Sequence, residues 1–287
     1  MGQIVNIDGT LYPSEEAKIS VFDHGFLYGD NIYETMRTYR GKVFLIERHL
    51  FRLGASAKFI RLNLPLNTAD FQRQIERTAA AGGNTEAYIR LIVTRGKGAI
   101  SLDMDSSERA SYVIIVKPLE QYPREYYEKG VKLALVTIRR NDRQSLNPRI
   151  KSGNLLNNVL AYMQAKSEGA FEGILCNLAG FVTEATSSNV FLVKNGTLIT
   201  PSLDSGLLSG VTRGLVLELA AAQQIPIEER NVLPDELLQC DECFITSTTK
   251  AVLPVNQISD TRLPAAAPGV VTRRIMDAYR TFVDERY

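Results

Sequence analysis

The chain has 287 residues, 45% hydrophobic and 23% charged, with 33 basic against 32 acidic side chains and a formal net charge of +1. That balance excludes the basic footprint of a nucleic-acid binder or a polybasic membrane-surface protein. The start, "MGQIVNIDGTLYP", has no basic n-region, no apolar stretch approaches the roughly 20 residues of a membrane helix, and three cysteines are too few for a disulfide framework, so a reducing cytoplasm is expected.

In chain order, "QIVNIDGTLY" and "MRTYRGKVFLI" read as hairpins turning at Asp8-Gly9 and Arg40-Gly41, and the first fifty residues as hairpins throughout. "RHLFRLGASAKFI" sets Leu50, Leu53, Ala57 and Ile60 at helical spacing. Residues 68–82 form a second helix, opened by Thr68 and Asp70. "AYIRLIVTRG" and "ASYVIIVKP" are strands by their β-branched content. Pro118 and Pro123 mark "KPLEQYPREYY" as a linker, giving a domain over 1–117, a linker over 118–124 and a larger domain over 125–287. Beyond it come a strand ("VKLALVTIRR"), a helix over 153–168 and a strand ("GILCN"). "FVTEATSSNVFLVKNGTLITP" follows as strand, break and hairpin, turning at Asn195-Gly196. A helix ("GVTRGLVLELAAAQQ"), a broken strand ("CFITSTTKAVLPV") and a helix over 268–284 close the chain. There is no regular βαβ alternation, so the expected class is an α+β two-domain fold.

Much chemistry is missing: there is no phosphate-binding Walker loop, no G-x-S-x-G elbow, and "RGKGAI" lacks a dinucleotide fingerprint's third glycine. Cys240 and Cys243 form a C-x-x-C without a second ligand pair and read as buried packing residues. Four other features fit one cofactor. Lys151, in "NPRIKSGNLL", carries an amine that forms a Schiff base when burial or neighbouring cations make it less basic. Glu184, in "VTEATSSN", is a lone carboxylate suited to a pyridinium nitrogen, which points to pyridoxal 5'-phosphate. "SGVTRG" opens a helix whose free N–H groups favour a phosphate, with Arg52 and the hydroxyls of "TSTTK" to complete the cup. Tyr88 and Arg90, two apart in a strand, share a face and suit a substrate carboxylate.

Each feature has a plainer reading. Lys151 alone is an ordinary surface lysine, Glu184 caps the turn that follows it, and "SGVTR" is a common helix start. Arg52 is a solvated residue of an amphipathic helix, and Tyr88 and Arg90 the outer face of an edge strand. Only their joint occurrence favours this cofactor.

The blocks "VFDHGFLYGDNIYETMRTY", "ERHLFRLGASAKFI", "AYIRLIVTRG", "IKSGNLLNNVLA", "GFVTEATSSNVFLVKNGTLITP", "LLSGVTRGLVLELA" and "DECFITSTTKAVLPV" run in consistent order over nearly the whole chain. Together they resemble the fold-type IV pyridoxal-phosphate enzymes: branched-chain aminotransferases, D-amino acid aminotransferases and aminodeoxychorismate lyases. The resemblance implies a smaller α/β N-terminal domain, a larger pseudo-barrel C-terminal domain and a homodimer or larger assembly. It implies Lys151 as the Schiff-base lysine, Glu184 as the ring-nitrogen partner, Arg52 as a phosphate ligand, and Val211, Thr212 and Thr248 as the rest of the phosphate cup. Tyr28, Tyr33, Tyr88, Arg90 and Thr249 would meet substrate, Tyr28 by reaching into a neighbour's site, with Phe26 lining the side-chain pocket.

"YIR" and "RRNDRQSLNP" lean toward the branched-chain enzymes. "KGAISLDM" lacks the arginine–histidine carboxylate trap of the D-amino acid enzymes, and "KSGN" stands where the lyases commonly have "KHLN". Two departures count against: Leu155 replaces a tyrosine, and Thr249 and Lys250 replace alanines of a "GTAAEI" block. The expected activity is ping-pong transamination between a branched-chain L-amino acid and 2-oxoglutarate. The alternatives are D-amino acid, (R)-amine or lyase activity, or a protein that binds the cofactor without turnover.

Overall fold

Asp8 and Gly9 both stand at positive φ (48° and 92°), and so reverse the chain between β1 (Ile4–Ile7) and β2 (Thr10–Pro13). In the computed structural model, which describes residues 2–287, the chain divides into two units. The first holds residues up to 120 together with 150–154 and 287; the second holds 121–149 and 155–286.

After its first hairpin, the first unit contains α1 (His24–Tyr28), β3 (Asn31–Tyr39), β4 (Lys42–Val43), α2 (Ile46–Phe59), α3 (Thr68–Gly82), β5 (Ala87–Thr94) and β6 (Ser111–Pro118). Its six strands pair in the order β2-β1-β6-β5-β3-β4, antiparallel throughout. Ile32, Met36, Ile89, Leu91, Ile114 and Val116 point from one face into a core closed by Leu50 and Leu53 of α2 and Phe71 and Ile75 of α3. Each such side chain, fully buried, stabilises the unit by about 1.5–3 kcal/mol. The other face, with Tyr33, Thr35, Tyr88 and Arg90, is only half-buried.

The expected pattern needs three local corrections here. α1 lies inside the supposed hairpin region, capped by the Asp23 carboxylate on the Gly25 N–H and ended by Gly29 at φ 68°. The strand expected in "KVFLI" pairs only over Lys42–Val43, because Leu45 takes a left-handed conformation (φ 49°) that turns the chain into α2. The cap of α3 is Asn67, whose side chain accepts from the Asp70 N–H, and not Thr68.

The second unit runs α4 (Arg124–Lys129), β7 (Val131–Arg139), α5 (Leu156–Ser167), β8 (Glu172–Cys176), β9 (Val182–Ala185), β10 (Asn189–Lys194), β11 (Thr197–Pro201), α6 (Val211–Ala222), β12 (Ile227–Arg230), α7 (Pro234–Leu238), β13 (Glu242–Ser247), β14 (Ala251–Ile258), β15 (Thr261–Arg262) and α8 (Val270–Arg286). The strands form a mixed sheet, β12-β11-β10-β13-β14-β7-β8-β9, with β15 beside β14. Val182 in β9 donates its N–H to Val232 O just past β12, so the two end strands meet and the sheet curls into the expected barrel-like form. Its core gathers Leu133, Ile174, Val190, Ile245 and Leu253 with the buried, free Cys176, Cys240 and Cys243. α5 begins at Leu156 rather than 153, because residues 150–154 belong to the first unit. Among the described residues no helix is long and apolar enough to cross a membrane.

Candidate active site

In the first unit the segment 150–154 lies along the start of β3. Tyr33 N–H donates to Lys151 O (2.9 Å) and Gly153 N–H to Asn31 O (3.0 Å). Lys151 N–H donates to Ser56 Oγ of α2 (3.2 Å). A glycine is required at 153 because the Asn31 side chain occupies the place of a Cβ. The lysine backbone is therefore held by two elements, which leaves its amine a defined position. Lys151 Nζ lies over the Tyr33 ring, 4.5 Å from its centre, and the Arg90 guanidinium lies 4.0 Å from the same centre. Both cations stand on the half-buried face of the sheet, and β5 is an interior strand, not an edge. Tyr88 shares that face but sits near Lys117 (5.7 Å), so the phenol beside Arg90 is that of Tyr33.

Arg52 is not a solvated residue. Its Nε and Nη2 donate to the two oxygens of Glu34 at 2.8 and 2.6 Å, and its side chain is 11% exposed. Glu34 sits between Ile32 and Met36 on the core face, and its other partner is His49 Nδ1 at 2.7 Å. Burial alone would raise the Glu34 carboxyl, but the Arg52 charge and the hydrogen bonds from Arg52 and His49 outweigh it and hold it at about 2. Burial pushes His49 below its ordinary value despite Glu34, with the nearby charges of Arg52 and Lys151 adding to the effect. The neutral ring then donates from Nδ1 to Glu34, leaving its buried Nε2 without a hydrogen-bond partner. Lys151, Arg52, His49 and Glu34 thus form one electrostatic cluster. Sequence reading misses Glu34; the available signal is a carboxylate two residues from each of two apolar neighbours in a strand.

Tyr28 ends α1 with its ring edge-on to His24 at 5.2 Å, and Phe26 is exposed in the single chain. His24 is engaged by Ala99 O (2.8 Å) and Ser107 Oγ (3.2 Å).

In the second unit Glu184 is buried near the end of β9. Its Oε1 accepts from Arg140 Nε (2.9 Å); its Oε2 accepts from the Leu208 N–H (3.1 Å) and Asn189 Nδ2 (3.4 Å). The turn that follows is capped by Glu172, which accepts from Thr186 Oγ1 (2.9 Å), the Ser187 N–H (2.7 Å) and Ser188 Oγ (2.7 Å). Arg140, Asn189 and Glu172 carry no recognisable sequence signal.

Val211 and Thr212 form the first turn of α6 behind Gly210, where a Cβ would strike the Asn189 side chain. The open N–H groups of such a turn favour an anion. Thr212 Oγ1 and Thr246 Oγ1, on the adjoining β13, are buried without a hydrogen-bond partner. An orphaned hydroxyl in the first turn of a helix, that of Thr212, fits a group with strong acceptor oxygens. Thr248 and Thr249 are half-buried in the turn between β13 and β14. Lys250 in the same turn is buried and paired with Glu172.

The chain has relatives among known proteins. It is 36% identical over 276 residues to a protein of Methanocaldococcus jannaschii named putative branched-chain-amino-acid aminotransferase, covering 96% of this chain and 95% of that one. It is 33% identical over 279 residues to the D-alanine aminotransferase of Bacillus licheniformis, covering 97% and 96%. A solved branched-chain amino acid aminotransferase from T.th. with pyridoxamine 5'-phosphate superposes with a TM-score of 0.92 at 27% identity, covering all of this chain and 96% of that one. Residues 31–258 match the family described as amino-transferase class IV, and the chain is therefore an enzyme of that family.

Proposed function

We propose that the enzyme transfers the amino group of branched-chain L-amino acids to 2-oxoglutarate, with pyridoxal 5'-phosphate as cofactor and Lys151 as the amine that carries it. The observation behind this reading is the double anchoring of the Lys151 backbone, with its ammonium held over Tyr33 beside Arg90. An inert surface lysine needs no such support.

The residues fit the cofactor. Val211, Thr212, Thr248 and Arg52 would hold its phosphate, Thr212 offering an orphaned hydroxyl. Glu184, ordered by Arg140, Asn189 and Leu208, would hold a proton at its ring nitrogen. When bound, the cofactor supplies a reactive aldehyde and a ring that accepts charge from the substrate's α-carbon. The Lys151 amine would serve as the base that takes the substrate's α-proton. Arg90 and Tyr33 grip a carboxylate, joined by Tyr88, Thr249 and Tyr28. An apolar pocket separates neighbouring aliphatic side chains by only about 1–3 kcal/mol per methylene, so broad aliphatic specificity is expected.

Two structural features support the L-selective reading over the D-selective one that the Bacillus relative suggests. A second carboxylate trap needs an available arginine and histidine near the loop after β5. Arg95 is bound instead to Asp30 and to the carbonyls of Ile60 and Arg61, and His24 to Ala99 and Ser107. A homodimer is supported by α5. It packs Ala161 and Ala165 inward and leaves Leu156, Val159, Leu160 and Met163 exposed at i, i+3, i+4 and i+7. Three buried, free cysteines suit the cytoplasm.

Mixing the holoenzyme with L-leucine, D-alanine and (R)-1-phenylethylamine while following its visible band tests the choice of substrate. L-leucine should bleach the band fastest; a faster response to either of the others replaces this reading. Steady-state kinetics should give parallel double-reciprocal lines, and intersecting lines would exclude the ping-pong order.

A further inference from the structure

Lysine at the tip of a hairpin is ordinarily solvated, because its ammonium is costly to remove from water. Lys250, between β13 and β14, is only 6% exposed. Its Nζ lies 3.0 Å from Glu172 Oε1 and donates to Ser187 Oγ at 2.9 Å, with the Phe171 ring centre 5.9 Å away. Glu172 in turn receives donors from Thr186, Ser187 and Ser188, so its whole acceptor capacity is committed. The backbone around Lys250 is fixed as well. Its N–H donates to Ser247 Oγ (3.3 Å), Tyr127 donates its hydroxyl to the Lys250 carbonyl (3.3 Å), and Ala251 is held at a φ of 54°, rare for a residue with a side chain.

The elements joined by this pair carry two of the proposed cofactor ligands of the second unit, Glu184 and Thr248. The turn 186–188 connects Glu184 to its partner Asn189, and the turn 248–250 carries Thr248 and Thr249. Turns this short have no packing of their own to define them, so a site built on them depends on such supports. We propose that Lys250 is a positioning residue: through Glu172 and Ser187 it ties the Thr248–Thr249 turn to the Glu184–Asn189 turn, and it does not itself meet a substrate carboxylate. This rests on the functional reading above. Burial would make Lys250 less basic, yet the Glu172 charge overrides it and raises the group, so the ammonium stays charged in place. The ammonium is buried and paired with Glu172 and Ser187, so it is not presented as a free cation to the second carboxylate of a dicarboxylic substrate.

The test compares holoenzymes of wild type, Lys250→Met and the double variant Lys250→Met with Glu172→Gln. The single variant leaves a buried carboxylate without its counter-ion, so it loses stability together with the tie. The double variant removes both charges, and the amide introduced by Glu172→Gln still caps residues 186–188, so stability returns while the two turns stay unlinked. Cofactor dissociation constants, unfolding midpoints, and KM and kcat for a monocarboxylic and a dicarboxylic 2-oxo acid are measured for each. Cofactor binding should weaken roughly tenfold or more in both variants, the midpoint should recover only in the double, and both 2-oxo acids should be affected by the same factor. Recovery of affinity along with the midpoint would show a purely structural pair, and a loss confined to the dicarboxylic acid would show direct substrate contact; either overturns the proposal. A wild-type protein that takes up no cofactor defeats the functional reading itself, which separates the two failures.

Discussion

Each unit buries a carboxylate against a cation, and the two arrangements differ in what they are built on. Glu34 and Arg52 project from a strand and a helix of fourteen residues, meet in two parallel hydrogen bonds, and have a neutral histidine behind them. Glu172 and Lys250 meet through a single contact, and most of their remaining partners are hydroxyls and an N–H of a three-residue turn. Guanidinium suits the first because its planar fork fixes direction as well as charge; ammonium suits the second because a point charge can hold several oxygens of a turn at once. The first cluster is an orienting device on a rigid scaffold, and the second makes two loops rigid.

Substitutions should expose that contrast in graded order. Lys151→Ala comes first: it should abolish amino transfer with every donor while leaving the unfolding midpoint within a few degrees. Glu34→Gln is next. It should lower stability by about 3 kcal/mol, since it removes the negative charge facing a mostly buried guanidinium, and it should weaken cofactor binding; chemical denaturation and cofactor titration measure both. A pH series sharpens the comparison. Glu34 ionises at about 2 in the folded chain against an ordinary 4.5, so its stabilisation is complete above pH 4.5 and is lost as the pH falls toward 2. Glu172 is also lowered and weakens over the same acid side, whereas His49, lowered from 6.5, begins to oppose folding as soon as the pH drops below that value. Lys250 is raised above 10.5, so its share is lost only as alkaline pH passes that raised value. Unfolding midpoints of wild type and Glu34→Gln should therefore converge between pH 4.5 and 2, and a constant gap would contradict the assignment of the acid loss to Glu34. The smallest effect belongs to an exposed pair: Arg124, 90% exposed beside Glu128, should change stability by about 0.5 kcal/mol or less on replacement with alanine.

How much of the fold and the site is legible in the sequence follows from the range of the interactions involved. Turns at Asp8-Gly9, Arg40-Gly41 and Asn195-Gly196 and the periodic helices α2, α3 and α6 are set by neighbours in the chain, and they can be read from it. The short helices α1, α4 and α7, of five or six residues, offer too few turns for a periodicity. β12 hides in "IEER" because its edge position exposes both glutamates. Leu45 is unreadable because nothing local forces leucine into a left-handed conformation; the packing of α2 on β3 does. Lys151 stands out through its motif, yet its surroundings do not: Ser56, Tyr33 and Asn31 reach it only after folding. Lys250 shows in the sequence as a departure from the family pattern, and its meaning lies in Glu172, which is distant in the chain and has no motif.

The central claim is that one amine, Lys151, carries the cofactor. Reduction of the purified holoenzyme with borohydride, followed by peptide mapping, tests it most directly. A pyridoxyl-phosphate adduct is predicted on the peptide containing Lys151, with one cofactor per chain. An unmodified Lys151, or an adduct at Lys250 or any other lysine, would contradict it.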